Sequence, residues 1–390
     1  MTHLTRQPWL MAASSRSVLS ALASMGATPR FVGGCVRDGL LGRASTDLDI
    51  AIDQLPEDSA RLLESASIKV IPTGLKHGTI TAVSESQHFE ITALRVDVET
   101  FGRHAKVAFT DDWKLDATRR DFTINAIYTS IDGQLYDPVG GQADLAAGRV
   151  RFVGDAAQRI DEDKLRILRF FRFFALFGQG EPDAEALAAC SAAAPGIAGL
   201  SGERVHAELF KLLAAPNPLP SLELMAEANV LQQVLLDGFD LDGLAQSDDE
   251  PLRRLSAIAT AGAMSIAERL RFSNQETGRL AFLMEPPAKL SSSIPRSELR
   301  QLLYNHGPER IGDLALQQGT PNLLPSLDET TPPPFPLKGK DALALGMRPG
   351  PEVGMMLRAL EEAWQADDFA TSRDELLAKL TDLSKNLGYG

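Results

Sequence analysis

The chain has 390 residues, is 44% hydrophobic and 23% charged, and carries a formal net charge of −13. That length exceeds one ordinary core and implies about two to four domains, and the composition is globular with no apolar run of about 18 residues to span a membrane. Two cysteines, Cys35 and Cys190, exclude a disulfide framework or a cysteine-rich zinc site and fit a reducing cytoplasm.

The net charge argues against a broad nucleic-acid surface, but the charge is uneven. Residues 1–180 hold 21 Lys and Arg against 22 Asp and Glu, whereas residues 181–390 hold 18 against 30. An anion site is therefore a local patch, expected in the first half.

The first 30 residues lack Asp and Glu and contain Arg6, Arg16 and Arg30, a composition shared with targeting peptides. The reading adopted is a first amphipathic helix through "RSVLSALASMG". Residues 30–140 alternate short β-like runs with turns and helices: "RFVGG", "TDLDIAI", "IKVIP", "GTITAV", "HFEITALRV", "TINAIYTS". That is an α/β or α+β pattern. From about residue 155 the chain is helical. "DEDKLRILRFFRFFALFG" reads as one long helix ending at Gly178. "GERVHAELFKLLAA", "PSLELMAEANVLQQVLL", "EPLRRLSAIATAGA" and "SIAERLRF" follow with apolar 3–4 spacing. "TTPPPFP", residues 330–336, cannot hold a helix and marks a linker. "PEVGMMLRALEEAWQA" is expected as the closing helix. The sequence contains no His-Asp dipeptide, hence no appended phosphohydrolase domain of that kind, and no internal repeat.

The chemistry concentrates in four stretches. In "TDLDIAI" Asp47 and Asp49 alternate with apolar residues, so a strand would put both carboxylates on one face, roughly 7 Å apart. Such charges are costly unless something offsets them. Upstream, "GGCVRDGLLGR" places Gly33 and Gly34 between a strand and a helix start, where backbone N–H groups can approach an anion. Arg37, one turn on, can clamp phosphate bidentately. A phosphate site beside two carboxylates calls for divalent cations, and Mg²⁺ prefers carboxylate and phosphate oxygens. The structural alternative is that Asp47 caps a turn and Asp49 is an edge-strand charge. Glu90, in "HFEITALR", is a candidate third carboxylate if its strand neighbours the first.

In "ATRRDFTINA", Arg119 and Arg120 are expected to point different ways. One would reach phosphate and the other pair with Asp116 or Asp121, while Asn125 would bond a ribose hydroxyl. In "EDKLRILRFFRFF", Asp163, Arg166, Arg169 and Arg172 recur every three residues. Arginines in so apolar a helix need partners, either the neighbouring Asp161, Glu162 and Asp163 or a nucleotide. Cytosine and adenine both present an amino donor beside a ring-nitrogen acceptor. Asp163 can accept from the amino group and Arg166 can donate to the ring nitrogen. Uracil and guanine invert that order and would leave charged groups unpaired.

In order and spacing, "GGCVRD", "TDLDIAI", "RRDFTINA", "DPVGG", "EDKLRILRFFRF" and "ERVHAELFKLL" resemble the motifs of class II tRNA nucleotidyltransferases, the CCA-adding enzymes, and of bacterial poly(A) polymerases. The match covers about residues 30–215. The resemblance implies an α+β fold with a polymerase-β-like head, a mixed sheet with helices, followed by all-α neck, body and tail domains. The expected divisions are head 1–140, neck 141–215 carrying the nucleotide-selecting helix, body 216–329, and linker and tail 330–390. It implies template-free addition of CMP, CMP and AMP from CTP and ATP to the tRNA 3′ end. By motif, Asp47 and Asp49 resemble the catalytic Mg²⁺ ligands. Gly34 and Arg37 resemble triphosphate contacts, Arg120 a nucleotide contact, Asp163 and Arg166 the base readers, and Arg169 and Arg172 further nucleotide contacts. "RVDVETFGRHAKVAF", residues 95–109, resembles the loop that accompanies the switch from C to A. Lys338, Lys340 and Arg348, in a stretch similar to the family's tail, would touch tRNA phosphates or else lie on solvated turns. A poly(A) polymerase would be favoured by a strongly basic C-terminal tail, which is absent. A CC-only or A-only enzyme, and a catalytically inactive RNA-binding protein, complete the alternatives. Intact Asp47, Asp49 and Arg37 argue against the last.

Overall fold

Nine strands are found among the described residues: β1 Arg30–Val32, β2 Leu48–Ile52, β3 Lys69–Gly74, β4 Thr79–Ser84, β5 Gln87–Ala93, β6 Arg95–Phe101, β7 His104–Phe109, β8 Tyr128–Thr129 and β9 Leu135–Tyr136. The computed structural model describes residues 4–101 and 104–386. It divides into two units, Met1–Leu241 with Glu268–Arg271, and Asp242–Ala267 with Phe272–Gly390.

The first unit holds a seven-stranded sheet in the order β3-β4-β5-β2-β1-β8-β9. β2 and β5 run parallel, with Asp49 opposite Glu90, and the other pairs are antiparallel. β2 lies between β5 and β1, so both its edges are paired inside the sheet. Leu48, Ile50, Ala51 and Ile52 are buried, and only Asp49 is part-exposed. The mixed sheet is the one expected. β6 and β7 form a separate hairpin over most of the segment that resembles a switching loop. Gly102 and Arg103 of that segment lie outside the described residues.

The N-terminal segment belongs to this core. Leu4, Trp9, Leu10, Val18, Leu19 and Leu22 are buried, and Trp9 packs edge-on against Phe31 at 4.9 Å. The helix Ala13–Ala23 is the amphipathic helix anticipated.

Four expectations are corrected. "TIN" is a 3₁₀ turn, Thr123–Asn125, not a strand, because Thr123 donates its hydroxyl to Asp144 at 2.7 Å and its N–H to the Arg151 carbonyl at 3.0 Å. The long helix ending at Gly178 is two helices, Ala156–Glu162 and Leu165–Phe177. Asp163 between them is extended, with φ −155° and ψ 107°, and its carboxylate accepts from the Leu165 N–H at 3.1 Å, a local bond that competes with helix. "PSLELMAEANVLQQVLL" also divides, into Leu219–Glu227 and Leu231–Val234, at left-handed Asn229. Finally, a helix Arg373–Asn386 follows Pro351–Ala366.

The helix Leu165–Phe177 buries Ile167, Leu168, Phe170, Phe171, Phe173 and Phe174, each contributing about 1.5–3 kcal/mol. Phe122 lies between Phe152 at 4.8 Å and Phe173 at 5.0 Å. The Arg37 guanidinium, on the helix that follows β1, lies 5.3 Å over the Phe173 ring and ties Leu165–Phe177 to that turn. The second unit is helical around two cores. One gathers Leu283, Leu302, Leu314 and Leu327, and the other Leu337, Leu360, Trp364 and Leu380. Residues 331–338 carry no helix or strand.

Candidate functional site

After β1 the chain turns at Gly33, whose φ of +77° suits only glycine. A Cβ there would stand 3.7 Å from the Asp49 carboxylate and 3.9 Å from Arg120. Gly34 opens the helix Gly34–Leu40, one turn of which brings Arg37 inward. Arg37 is buried; it donates to Asn125 at 2.6 Å and to Asp38 at 2.9 Å, and lies 4.2 Å over the Phe177 ring. This turn forms one wall of a cavity of about 480 Å³, lined by Gly33, Gly34, Arg37, Asp49, Arg119, Arg120, Asp121, Asn125, Asp163, Leu165, Arg166, Arg169, Phe173 and Arg204. The lining holds six arginines and three aspartates, a local cationic excess in a chain of net charge −13.

Each arginine is oriented by a carboxylate or a carbonyl. Arg119 and Arg120 do not diverge. Both pair with Asp116, at 2.7 and 3.1 Å, because they sit three and four residues beyond it at a helix end. Tyr128 also donates to Asp116, at 2.8 Å. Burial would raise the Asp116 pKa, but Arg120 and Arg119 outweigh it and hold the carboxyl below its usual range. Asp121 is held low in the same way: burial opposes, and Arg169 and the Asn125 amide prevail. Arg169 donates to Asp121 at 2.8 Å, and Asn125 donates to Asp121 at 3.0 Å. The Asn125 side chain is therefore engaged by Arg37 and Asp121. Arg166 donates through Nη1 to the Arg159 carbonyl at 2.8 Å and to Glu162. Its other donors make no hydrogen bond among the described residues. Asp163 accepts from Arg204 at 2.7 Å. Arg172 does not line the cavity; it donates to Glu208 at 2.6 Å.

Asp49 differs from these paired groups. Its carboxylate has no hydrogen bond or ion pair among the described residues. Burial, then Glu90, then Asp47 push its pKa up to about 6, against the pull of Arg120. Asp47 is exposed and immediately precedes β2, and Glu90 is exposed on the neighbouring strand. No group of three or more His, Cys, Asp or Glu side chains able to hold a metal occurs among the described residues. The donors present are hard oxygens under mutual repulsion, which fit a divalent cation that completes its shell with substrate oxygens or water.

Asp49, Gly34, Arg37, Arg120, Asp163, Arg166 and Arg169 thus line one cavity, whereas Asp47, exposed just before β2, is not among the lining residues. Arg119 and Asp121 are alternatives in the sequence and both line the cavity, whereas Arg204 is a site residue that the sequence reading misses. Its signal is the stretch "ERVHAELFKLL", which carries the resemblance but to which the sequence reading gave no site role. Arg204 gains meaning from Asp163, 41 residues earlier.

The model of the poly A polymerase head domain matches residues 29–151, and the model described as the probable RNA and SrmB-binding site of polymerase A matches residues 181–239. The chain is 38% identical over 376 residues to the mitochondrial CCA tRNA nucleotidyltransferase 1 of Danio rerio, spanning 90% of this chain and 86% of that protein. The Homo sapiens protein of the same name is 36% identical over 371 residues, spanning 90% and 85%. Among solved structures, the Bacillus stearothermophilus CCA-adding enzyme in complex with CTP superposes with a TM-score of 0.80 at 26% identity, covering 98% of this chain and 99% of that one. The chain belongs to the CCA tRNA nucleotidyltransferase family.

Proposed function

We propose that this chain adds CMP, CMP and AMP in turn to the 3′ end of tRNA, taking CTP and ATP and releasing pyrophosphate. The observation that carries the reading is the single cavity where a glycine turn, an unpaired aspartate and six arginines converge. Gly34 and Arg37 would hold the triphosphate at the helix start, with Arg120 beside them, locked by Asp116. Asp163 and Arg166 would read the Watson–Crick edge, and the Arg166 donors left over from Glu162 suit that role. Arg169, tied to Asp121, would border the sugar and phosphates. Arg172, held by Glu208, would support that helix from behind.

Asp47 and Asp49 are assigned the metal, and Mg²⁺ is the ion proposed. When bound, it would activate the tRNA 3′ hydroxyl and offset charge on the leaving pyrophosphate. The head, neck, body and tail divisions at 140, 215 and 329 remain our division of these roles along the chain. The cytoplasm is the compartment proposed, supported by two buried, unpaired cysteines; no helix among the described residues is long and apolar enough to cross a membrane.

A second reading, ATP-only polyadenylation, is favoured by the head model's own description. Incorporation of labelled CTP and ATP onto tRNA lacking CCA, with Mg²⁺, separates the two. Two C additions with CTP alone, then one A and a stop once ATP is present, are expected. Long A tracts from ATP alone would replace the proposal with polyadenylation, and a stop after CC would reduce it to a partial enzyme.

A further inference from the structure

The helix Gly202–Leu213 lies within the segment matched by the RNA-binding model, yet Arg204 lines the nucleotide cavity and Glu208 meets the arginines of the neighbouring helix. Arg204 and Glu208 are one turn apart. Arg204 holds Asp163 at 2.7 Å, with the two side chains 17% and 19% exposed. Glu208 is buried; it accepts from Arg172 at 2.6 Å and stands 3.8 Å from Arg169. Beyond Arg169 the polar links continue through Asp121 and Asn125 to Arg37.

We propose that Arg204 and Glu208 are positioning residues for nucleotide selection. Arg204 sets the Asp163 carboxylate, and Glu208 sets the guanidinium groups of Arg169 and Arg172. The proposal rests on the reading of Asp163 and Arg166 as base readers. Its physical basis is the break in the helix at Asp163. A residue on extended backbone between two helices does not inherit a helix's orientation, so its side chain must be fixed from outside. One carboxylate oxygen is fixed by the Leu165 N–H and the other by Arg204. Both oxygens keep a lone pair for a base amino group. Were Arg204 removed, the Leu165 N–H alone would hold the carboxylate, which would turn about that bond more easily and accept less selectively. Glu208 acts on the opposite end of the nucleotide. Its loss would loosen Arg169 and, through Asp121 and Asn125, the Arg37 side, which holds phosphate whatever the base.

The two residues therefore predict different kinetics. The experiment is steady-state incorporation onto tRNA lacking CCA, measuring kcat/KM for CTP against UTP and the KM for tRNA. The variants are Arg204→Gln, Arg204→Lys and Glu208→Gln, with Asp163→Asn as reference. Asp163→Asn and Arg204→Gln are each expected to reduce the CTP preference by roughly tenfold or more, and the double variant no further. Arg204→Lys should recover part of the preference, because it restores charge without the planar fork. Glu208→Gln should raise KM for CTP and UTP alike and leave their ratio. If Arg204→Gln does not fold, Arg204→Lys carries the test, and a wild-type ratio in it counts against the proposal. If Asp163→Asn relaxes selection while Arg204→Gln changes only the KM for tRNA, the helix serves RNA binding and the proposal fails. If Asp163→Asn itself leaves selection intact, the base-reading assignment fails first.

Discussion

Asp49 is the one acidic residue lining the cavity whose carboxylate has no hydrogen-bond or ion-pair partner among the described residues. Asp116 and Asp121 are buried more deeply but are neutralised by arginines. Asp49 instead faces Glu90 across the parallel pair and Asp47 two residues away. Without a cation that arrangement destabilises the fold, and each like-charge contact near the surface costs on the order of 1 kcal/mol. Asp49→Asn should therefore stabilise the metal-free protein, by roughly 2–4 °C in Tm, while abolishing incorporation. Thermal melts in EDTA and then in Mg²⁺ check this. Mg²⁺ should raise the wild-type Tm and leave the variant nearly unmoved. A variant that melts below wild type in EDTA would show that Asp49 is held by contacts rather than opposed by charge.

Three helices of the second unit are joined through charges. Arg253 on Pro251–Ile258 and Arg279 on Asn274–Met284 both donate to Asp313 on Pro308–Gln317, at 2.6 Å each, and Arg279 also pairs with Glu250 at 2.9 Å. Burial alone would raise the Asp313 pKa, but hydrogen bonds from Arg279 and Arg253 bring it below the usual carboxylate range. Asp248 is lowered chiefly by its bond from Arg253. A depressed folded pKa means that the stabilisation is complete above the unfolded value, near pH 4, and is lost as pH falls through the folded values. Circular-dichroism melts from about pH 7 to pH 3 should show the loss confined to the acid end. Asp313→Asn should flatten that acid slope and cost about 2 kcal/mol at neutral pH, less than a fully buried pair because Arg279 is 35% exposed. An acid slope unchanged in Asp313→Asn would place the titrating group elsewhere. At this scale the sequence was legible where period and composition agreed. The alternation in "TDLDIAI" located β2, and the prolines of "TTPPPFP" excluded helix. It was not legible where tertiary bonds decided. The charged run at 161–164 interrupts the apolar spacing, but such a run also suits a solvated helix face, and the break at Asp163 involves Leu165 and Arg204. Likewise nothing local told that Arg119 and Arg120 would share one carboxylate, since that depends on where a short helix ends.

For the molecule as a whole, the charge distribution sets how an acidic protein can hold an acidic partner. The one local cationic excess described lies inside the cavity, where most of its guanidinium groups are already tied to carboxylates, so it suits one nucleotide and a 3′ end rather than a long backbone. Grip on the rest of a tRNA must come from few exposed cations. Lys338, Lys340 and Arg348 are exposed and make no ion pair among the described residues, so their charge is available to phosphate. Counterion release then predicts a shallow salt dependence. Replacing all three by alanine should reduce the magnitude of the slope of log affinity against log salt by about two, at roughly 0.7 for each phosphate no longer neutralised. Nucleotide choice should stay as in wild type, because none of the three lines the cavity. Filter binding of tRNA across a KCl series gives the slope directly. A slope unchanged by the triple substitution would remove this stretch from the RNA interface, and the grip would then have to be sought among other exposed cations.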